Sequence, residues 1–159
     1  MKIRIIQIGK TKDSYIEEGI MEFTKRLSPY VKLEIVTLKE VMATKAFTKE
    51  HCKEIEGEEI LKLLGKSSEP EAIIALDEHG KEFTSMEFSK FLGKFFDLGE
   101  RINFIIGGPY GLSENVRKKA SLLCAFSKMT FTHQMIRIFL LEQIYRGVSI
   151  IKGKEYHNE

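Results

Sequence analysis

Two apolar periodicities alternate along this chain. Short runs rich in β-branched residues read as strands, and longer stretches with apolar residues three or four apart read as helices. The predicted strands are Lys2–Ile8, Val31–Leu38, Glu71–Leu76, Arg101–Ile106 and Ser121–Phe126. The first helix is expected to start at Ser14, with Glu17 completing a capping box, and to carry Ile16, Ile20, Phe23 and Leu27 on one face before Ser28-Pro29 stops it. A second runs from about Thr48 to Leu64, with Gly65 expected as a left-handed cap. A third opens at Thr84 with Glu87 as its box partner and buries Phe88, Phe91, Leu92 and Phe95. A short fourth follows Ser113. A long fifth spans roughly Gln134 to Lys152, with Thr132 expected as its N-cap.

Strand and helix alternating throughout predicts an α/β fold, a single domain over residues 1–159 with a mostly parallel sheet and helices on both faces. Lys39–Phe47 is the one long loop of the N-terminal half and is expected to be a mobile surface loop. The fifth helix is apolar around nearly its whole circumference, through Met135, Ile136, Ile138, Phe139, Leu140, Leu141, Ile144, Tyr145 and Val148. Such a helix must be covered on more than one side. With the sheet on one face, a second subunit is expected on the other, so the chain is read as a homodimer.

Composition narrows the function classes. The chain has the length of one domain, and 43% hydrophobic with 30% charged residues is ordinary for a soluble protein. A net charge of +2, from 25 Lys and Arg against 23 acids, excludes a polybasic nucleic-acid binder, so any RNA contact must come from local clustering. Cys52 and Cys124 stand far apart, suggesting neither a disulfide framework nor a zinc site and fitting a reducing cytoplasm. The charged first strand is not a signal peptide, and no stretch has the length of a membrane span. The expectation is a cytoplasmic protein with no membrane segment and no metal.

Three segments are candidates for chemistry. Gly107-Gly108-Pro109-Tyr110-Gly111 follows a strand, where open parallel sheets place their ligands, and lacks the side chains that would keep a ligand from the backbone. The same pattern also serves as a plain tight turn. Phe126-Ser127-Lys128-Met129-Thr130-Phe131-Thr132-His133-Gln134 follows the last strand, and its backbone could hold a flat ring with Met129 and Phe131 as apolar walls. His133 and Arg137 lie four apart on one helical face. The tail holds Tyr156 and His157, unusual residues for a frayed end. Neither Gly9-Lys10-Thr11 nor Gly65-Lys66-Ser67 has the upstream glycine of a P-loop, and no G-x-G-x-x-G follows the first strand. Asp77-Glu78-His79-Gly80 reads as a polar turn.

Taken in order, Met1-Lys2-Ile3, Ile8-Gly9-Lys10, Leu76, Ile105-Ile106-Gly107-Gly108 with Gly111-Leu112, Phe126–Phe131, His133-Gln134, Glu142-Gln143-Ile144-Tyr145-Arg146 and Tyr156-His157 resemble the SPOUT methyltransferases over the full chain. More closely, the sequence is similar to the bacterial family that methylates N3 of a pseudouridine in the helix 69 region of 23S ribosomal RNA. The resemblance implies a trefoil knot in the C-terminal half and S-adenosylmethionine as cofactor, held at Leu76, Gly108, Ser127, Lys128, Met129, Thr130, Phe131 and Thr132. It also implies 23S rRNA as partner, in the assembled ribosome. Thr132 stands where this family often has proline, and Asn158 where it often has a basic residue.

On chemical grounds His133 or His157 could take the imide proton, Arg137 could stabilise the developing anion or hold a phosphate, and Tyr156 could stack on the base. Replacing Gly108 by Val is expected to block cofactor binding while sparing the fold. Two other readings remain open. One is a non-catalytic RNA-binding protein using Arg117, Lys118 and Lys119. The other is a nucleotide-binding enzyme holding phosphate at Gly107–Gly111.

Overall fold

The computed structural model describes residues 1–66, 71–154 and 156. Five strands, β1 (Lys2–Ile8), β2 (Lys32–Leu38), β3 (Glu71–Glu82), β4 (Arg101–Ile106) and β5 (Leu122–Ala125), form one sheet in the order β2-β1-β4-β3-β5. Every pairing is parallel. Between them lie α1 (Ser14–Leu27), α2 (Lys49–Leu64), α3 (Ser85–Leu98) and α4 (Glu114–Lys119), with α5 (Met135–Ile151) last.

The strands separate two cores because alternate side chains point to opposite faces. Ile3 and Ile5 of β1 join Phe104 of β4, Phe88 and Leu92 of α3, and Leu140 and Ile144 of α5 on one side. Ile6 and Ile8 join Ile105, Ile60 of α2 and Val116 of α4 on the other. The central strands β1 and β4 are therefore almost continuously apolar, as a sheet covered on both faces requires.

Local capping follows the sequence in three helices. Thr84 and Glu87 form the expected reciprocal box at α3, Ser113 caps α4 and Thr48 caps α2. At two termini it does not. Asp13 occupies the α1 N-cap position with no side-chain cap, so the Ser14–Glu17 box does not form. Gly65 is right-handed at φ −68°, and the left-handed glycine cap occurs instead at Gly99, φ 66°. Thr132 caps the turn leading into α5: its Oγ1 accepts from Met135 N at 3.1 Å, and its carbonyl from Ile136 N at 3.1 Å.

Two larger expectations are corrected. Asp77-Glu78-His79-Gly80 is not a turn but part of β3, which continues to Glu82 through a register shift between Leu76 and Lys81 against β5. Lys39–Phe47 is tied down at two points: Val41 N donates to Glu56 Oε1 at 2.8 Å, and Ala43 N to Tyr110 Oη at 3.2 Å.

The apolar circumference of α5 also has a different explanation. Leu140 and Ile144 are 0% exposed within one chain, where α5 packs against both α1 and α3. These two residues belong to the monomer's own core, not to an outer face. Among the described residues, no helix is long and apolar enough to cross a membrane.

Candidate functional site

The Gly107–Gly111 loop at the carboxyl end of β4 turns on itself. Gly111 N donates to Gly108 O at 3.0 Å, and Gly111 takes φ 87°, a left-handed conformation that suits glycine. A Cβ on Gly107 would lie 2.9 Å from the Gly111 carbonyl carbon, and one on Gly108 would lie 2.8 Å from Glu56 Oε2 and 3.1 Å from Ile8 Cγ2. The chain's own packing thus crowds any side chain at 107 and 108, while the left-handed backbone conformation favours glycine at 111.

Beyond this loop opens a cavity of about 700 Å³, within the range of small-molecule sites. Seven residues singled out for cofactor binding, Leu76, Gly108, Ser127, Met129, Thr130, Phe131 and Thr132, stand on its walls, and so does His133. Lys128 does not; its side chain is exposed. Met129 and Phe131 are exposed apolar groups at this cavity, unfavourable in water unless a ligand or partner covers them. Among the described residues, the only backbone N–H between 127 and 131 bonded within the chain is that of Met129, which donates to Ser127 Oγ at 3.0 Å. Unused peptide groups beside apolar walls fit a planar heterocycle such as adenine.

The walls also hold groups that the sequence reading passed over. Asp77 Oδ2 accepts from Arg117 Nη1 at 2.6 Å, and Thr130 Oγ1 donates to Glu78, joining the β3 extension to the segment after β5. Both acids lie in the irregular part of β3, within the register shift that begins at Leu76, which the sequence reading as a polar turn did not anticipate. Cys124 also lines the cavity, but burial pushes its thiol up to about 12, which leaves it protonated and inert.

Arg137 is not a wall residue. It is 1% exposed, and four of its five N–H groups are spent inside the chain. Nε donates to His133 O at 3.1 Å, Nη1 to Thr11 Oγ1 at 2.9 Å, and Nη2 to Ile8 O at 2.7 Å and Gly9 O at 3.0 Å. It clamps the end of β1 to the first turn of α5. Within one chain the guanidinium is therefore held by three backbone carbonyls and the Thr11 hydroxyl instead of facing the cavity, which is not the contact with a phosphate or developing anion expected from sequence.

Tyr156 lies elsewhere. Its ring meets Tyr145 edge-on at 4.7 Å, lies 5.0 Å from the Arg146 guanidinium, and its hydroxyl is 3.5 Å from Glu142. Tyr156, Tyr145, Arg146 and Glu142 are all absent from the cavity's walls. One chain therefore does not bring Tyr156 to its own cavity. His157 and Asn158 lie outside the described residues.

Comparison with known proteins identifies the family and the fold. A family model described as "Predicted SPOUT methyltransferase" matches residues 1–157. A relative from Parabacteroides distasonis named "Ribosomal RNA large subunit methyltransferase H" is 45% identical over 160 residues, covering 100% of both chains. One of the same name from Trichlorobacter lovleyi is 44% identical over 99% of this chain and 100% of its own. A crystal structure of a methylase family protein from Neisseria gonorrhoeae, only 12% identical, shares the fold at a TM-score of 0.54 over 91% of this chain and 80% of that one. With a parallel sheet, a glycine turn after β4 and a peptide-rich cavity before the last helix, the chain belongs to the SPOUT methyltransferase family.

Proposed function

We propose that this protein transfers a methyl group from S-adenosylmethionine to N3 of a pseudouridine in 23S ribosomal RNA, in the helix 69 region and within the assembled ribosome. Family membership and the full-length relatives named as large-subunit rRNA methyltransferases support the reading. The observation that carries it is the cavity between the Gly107–Gly111 loop and residues 127–133, whose unused peptide groups and apolar Met129 and Phe131 fit the cofactor.

Bound there, the cofactor supplies a sulfonium methyl group, an electrophile that needs no further activation. The chain's task is to align N3 with that methyl group, exclude water and let the N3 imide proton pass to a base, with S-adenosylhomocysteine as the leaving group. Leu76, Gly108 and the 127–132 backbone would hold the cofactor, and the Asp77–Arg117 pair stiffens the wall opposite. Arg137 fixes the strand end beneath them.

The protein acts as a homodimer in this reading, and the tail of one subunit completes the cavity of the other. Tyr156, beyond the end of α5, packs back against Tyr145 and the cation Arg146 of that helix, away from its own cavity, as an RNA-facing aromatic would. Phe139 and Phe131, whose rings meet at 5.0 Å beside a shallow groove lined by Phe83 and Gln143, supply the apolar subunit face. The family's trefoil knot and a cytoplasmic location belong to the same proposal.

The test is methyl transfer from labelled S-adenosylmethionine to intact ribosomes, separated subunits and naked rRNA. Label at a pseudouridine N3 of 23S rRNA is expected, strongest with ribosomes. Cofactor binding without any transfer would favour an RNA-binding role through Arg117, Lys118 and Lys119. Binding of ATP in place of S-adenosylmethionine would favour phosphate capture at Gly107–Gly111.

A further inference from the structure

The side chain of Gln134 is fixed by two backbone groups of a distant loop. Its Nε2 lies 3.1 Å from the carbonyl oxygen of Lys10, and its Oε1 accepts from the backbone N–H of Lys12 at 3.3 Å. A peptide carbonyl only accepts and a peptide N–H only donates, so these partners decide which end of the amide is nitrogen. Gln134 is buried, so its amide has little freedom to seek water instead. The second hydrogen of Nε2 is left for His133 Nε2, 3.1 Å away. An amide nitrogen cannot accept, so His133 Nε2 must bring a lone pair to this contact. The imidazole is thereby neutral and carries its proton on Nδ1. An imidazolium would set N–H against N–H.

The surroundings act in the same direction. Burial, the charge of Arg137 one turn along α5 and Lys12 on the facing loop depress the His133 pKa, against an opposing pull from Glu40 beyond β2. Arg137 also donates to the carbonyls of Ile8, Gly9 and His133, so the loop bearing Lys10 and Lys12 cannot move independently of the histidine. With Nε2 engaged, Nδ1–H is the polar group that this wall residue has left, and it has no partner among the described residues.

We propose that His133 serves this site as a hydrogen-bond donor of fixed tautomer and not as its general base, with Gln134 as the positioning residue that sets the tautomer. The group it would meet is an acceptor oxygen of a bound ligand: the cofactor's carboxylate or a carbonyl of the target base. Only the identity of that ligand rests on the methyl-transfer reading. The tautomer follows from the backbone of the Lys10–Lys12 loop.

The first experiment is therefore independent of activity. Long-range proton–nitrogen NMR of the full chain resolves the tautomers of its four histidines, with the His133→Asn spectrum assigning the signal. A neutral Nδ1–H ring at neutral pH is expected, titrating below the ordinary histidine value. An Nε2–H ring or an imidazolium overturns the proposal. Gln134→Met should release the ring into a mixture of tautomers; an unchanged pure Nδ1–H form would overturn the role of Gln134.

The second experiment compares His133→Asn, whose amide can place an N–H near that of Nδ1, with His133→Leu. The Asn variant should recover at least about tenfold of what the Leu variant loses. A loss confined to S-adenosylmethionine Kd identifies the cofactor carboxylate as acceptor. A loss confined to the rate at saturating cofactor identifies the target base. Equal losses in both variants overturn the donor role. A wild-type protein that neither binds the cofactor nor transfers methyl groups would defeat the functional reading while leaving the NMR result to stand.

Discussion

The missing side chain of Gly108 is replaced by the buried carboxyl of Glu56, whose Oε2 would lie 2.8 Å from a Cβ at that position. Glu56 is 3% exposed; its Oε1 accepts from Val41 N, and Oε2 has no partner among the described residues. The glycine loop, α2 and the 39–47 loop are thus joined at one point. Replacing Gly108 by Val would therefore strain the fold as well as the cavity, contrary to the expectation from sequence.

The pair should be energetically coupled. Gly108→Ala and Glu56→Ala, each destabilising alone, are expected to give a double-mutant coupling of about 0.5–3 kcal/mol in denaturant unfolding. The Ala methyl of one variant fits the space vacated in the other. Strictly additive losses would show that the contact costs nothing.

Glu56 should also leave a mark on the pH dependence of stability. Burial raises its carboxyl above the ordinary value of 4.5, opposed by the Val41 N–H and assisted by Glu40. Folding thus favours the protonated form. That contribution is fully present below pH 4.5 and is lost as pH rises through the raised folded value. The Tm difference between Glu56→Gln and wild type should therefore move in the variant's favour as pH climbs from 4.5. A difference independent of pH would mean that the carboxyl titrates as it does in water.

Arg137→Met should be severely destabilising. It leaves the carbonyls of Ile8 and Gly9 without their donor, at about 1–3 kcal/mol for each unsatisfied buried group. A Tm fall of roughly 2–4 °C per kcal/mol is the measurement. A substrate-contacting arginine would instead leave Tm unchanged and lower only activity.

Subunit contact and monomer core can be separated by two substitutions. Ile144→Asp buries an unpaired charge in the chain's own core and should prevent folding. Phe139→Asp, on the partly exposed side of α5, should leave a folded chain that sediments as a monomer. A Phe139→Asp protein that remains dimeric would place the subunit face elsewhere.

The tail should act across that face. Deleting residues 156–159 is expected to cost about a hundredfold or more in methyl transfer, with cofactor affinity nearly unchanged. Ser127→Trp, which fills the cavity, should abolish cofactor binding. Mixing the two inactive proteins should restore part of the activity, because one site of the mixed dimer then has an intact cavity and an intact tail. No recovery despite proven heterodimers would place Tyr156 in its own subunit's site.

What the sequence determined by itself was whatever depends on near neighbours. The apolar runs of β1 and β4 specify strands through their period, and Thr84 with Glu87 specifies a helix start, because both signals lie within a few residues of the structure they create. The loops around Gly108 and Ser127–Thr132 were legible for a related reason: strand ends of a parallel sheet are where ligands gather.

Tertiary structure decided the rest. Arg137 looked like a free cation beside His133, but its partners Ile8, Gly9 and Thr11 lie about 126 to 129 residues away, and desolvation made it a clamp. The apolar girth of α5 gave no hint that α1 and α3 would cover Leu140 and Ile144 within the same chain. The tautomer of His133 depends on two backbone groups at Lys10 and Lys12, reached through Gln134. Sequence specifies which groups can donate and accept, and only packing decides which of them meet out of reach of water.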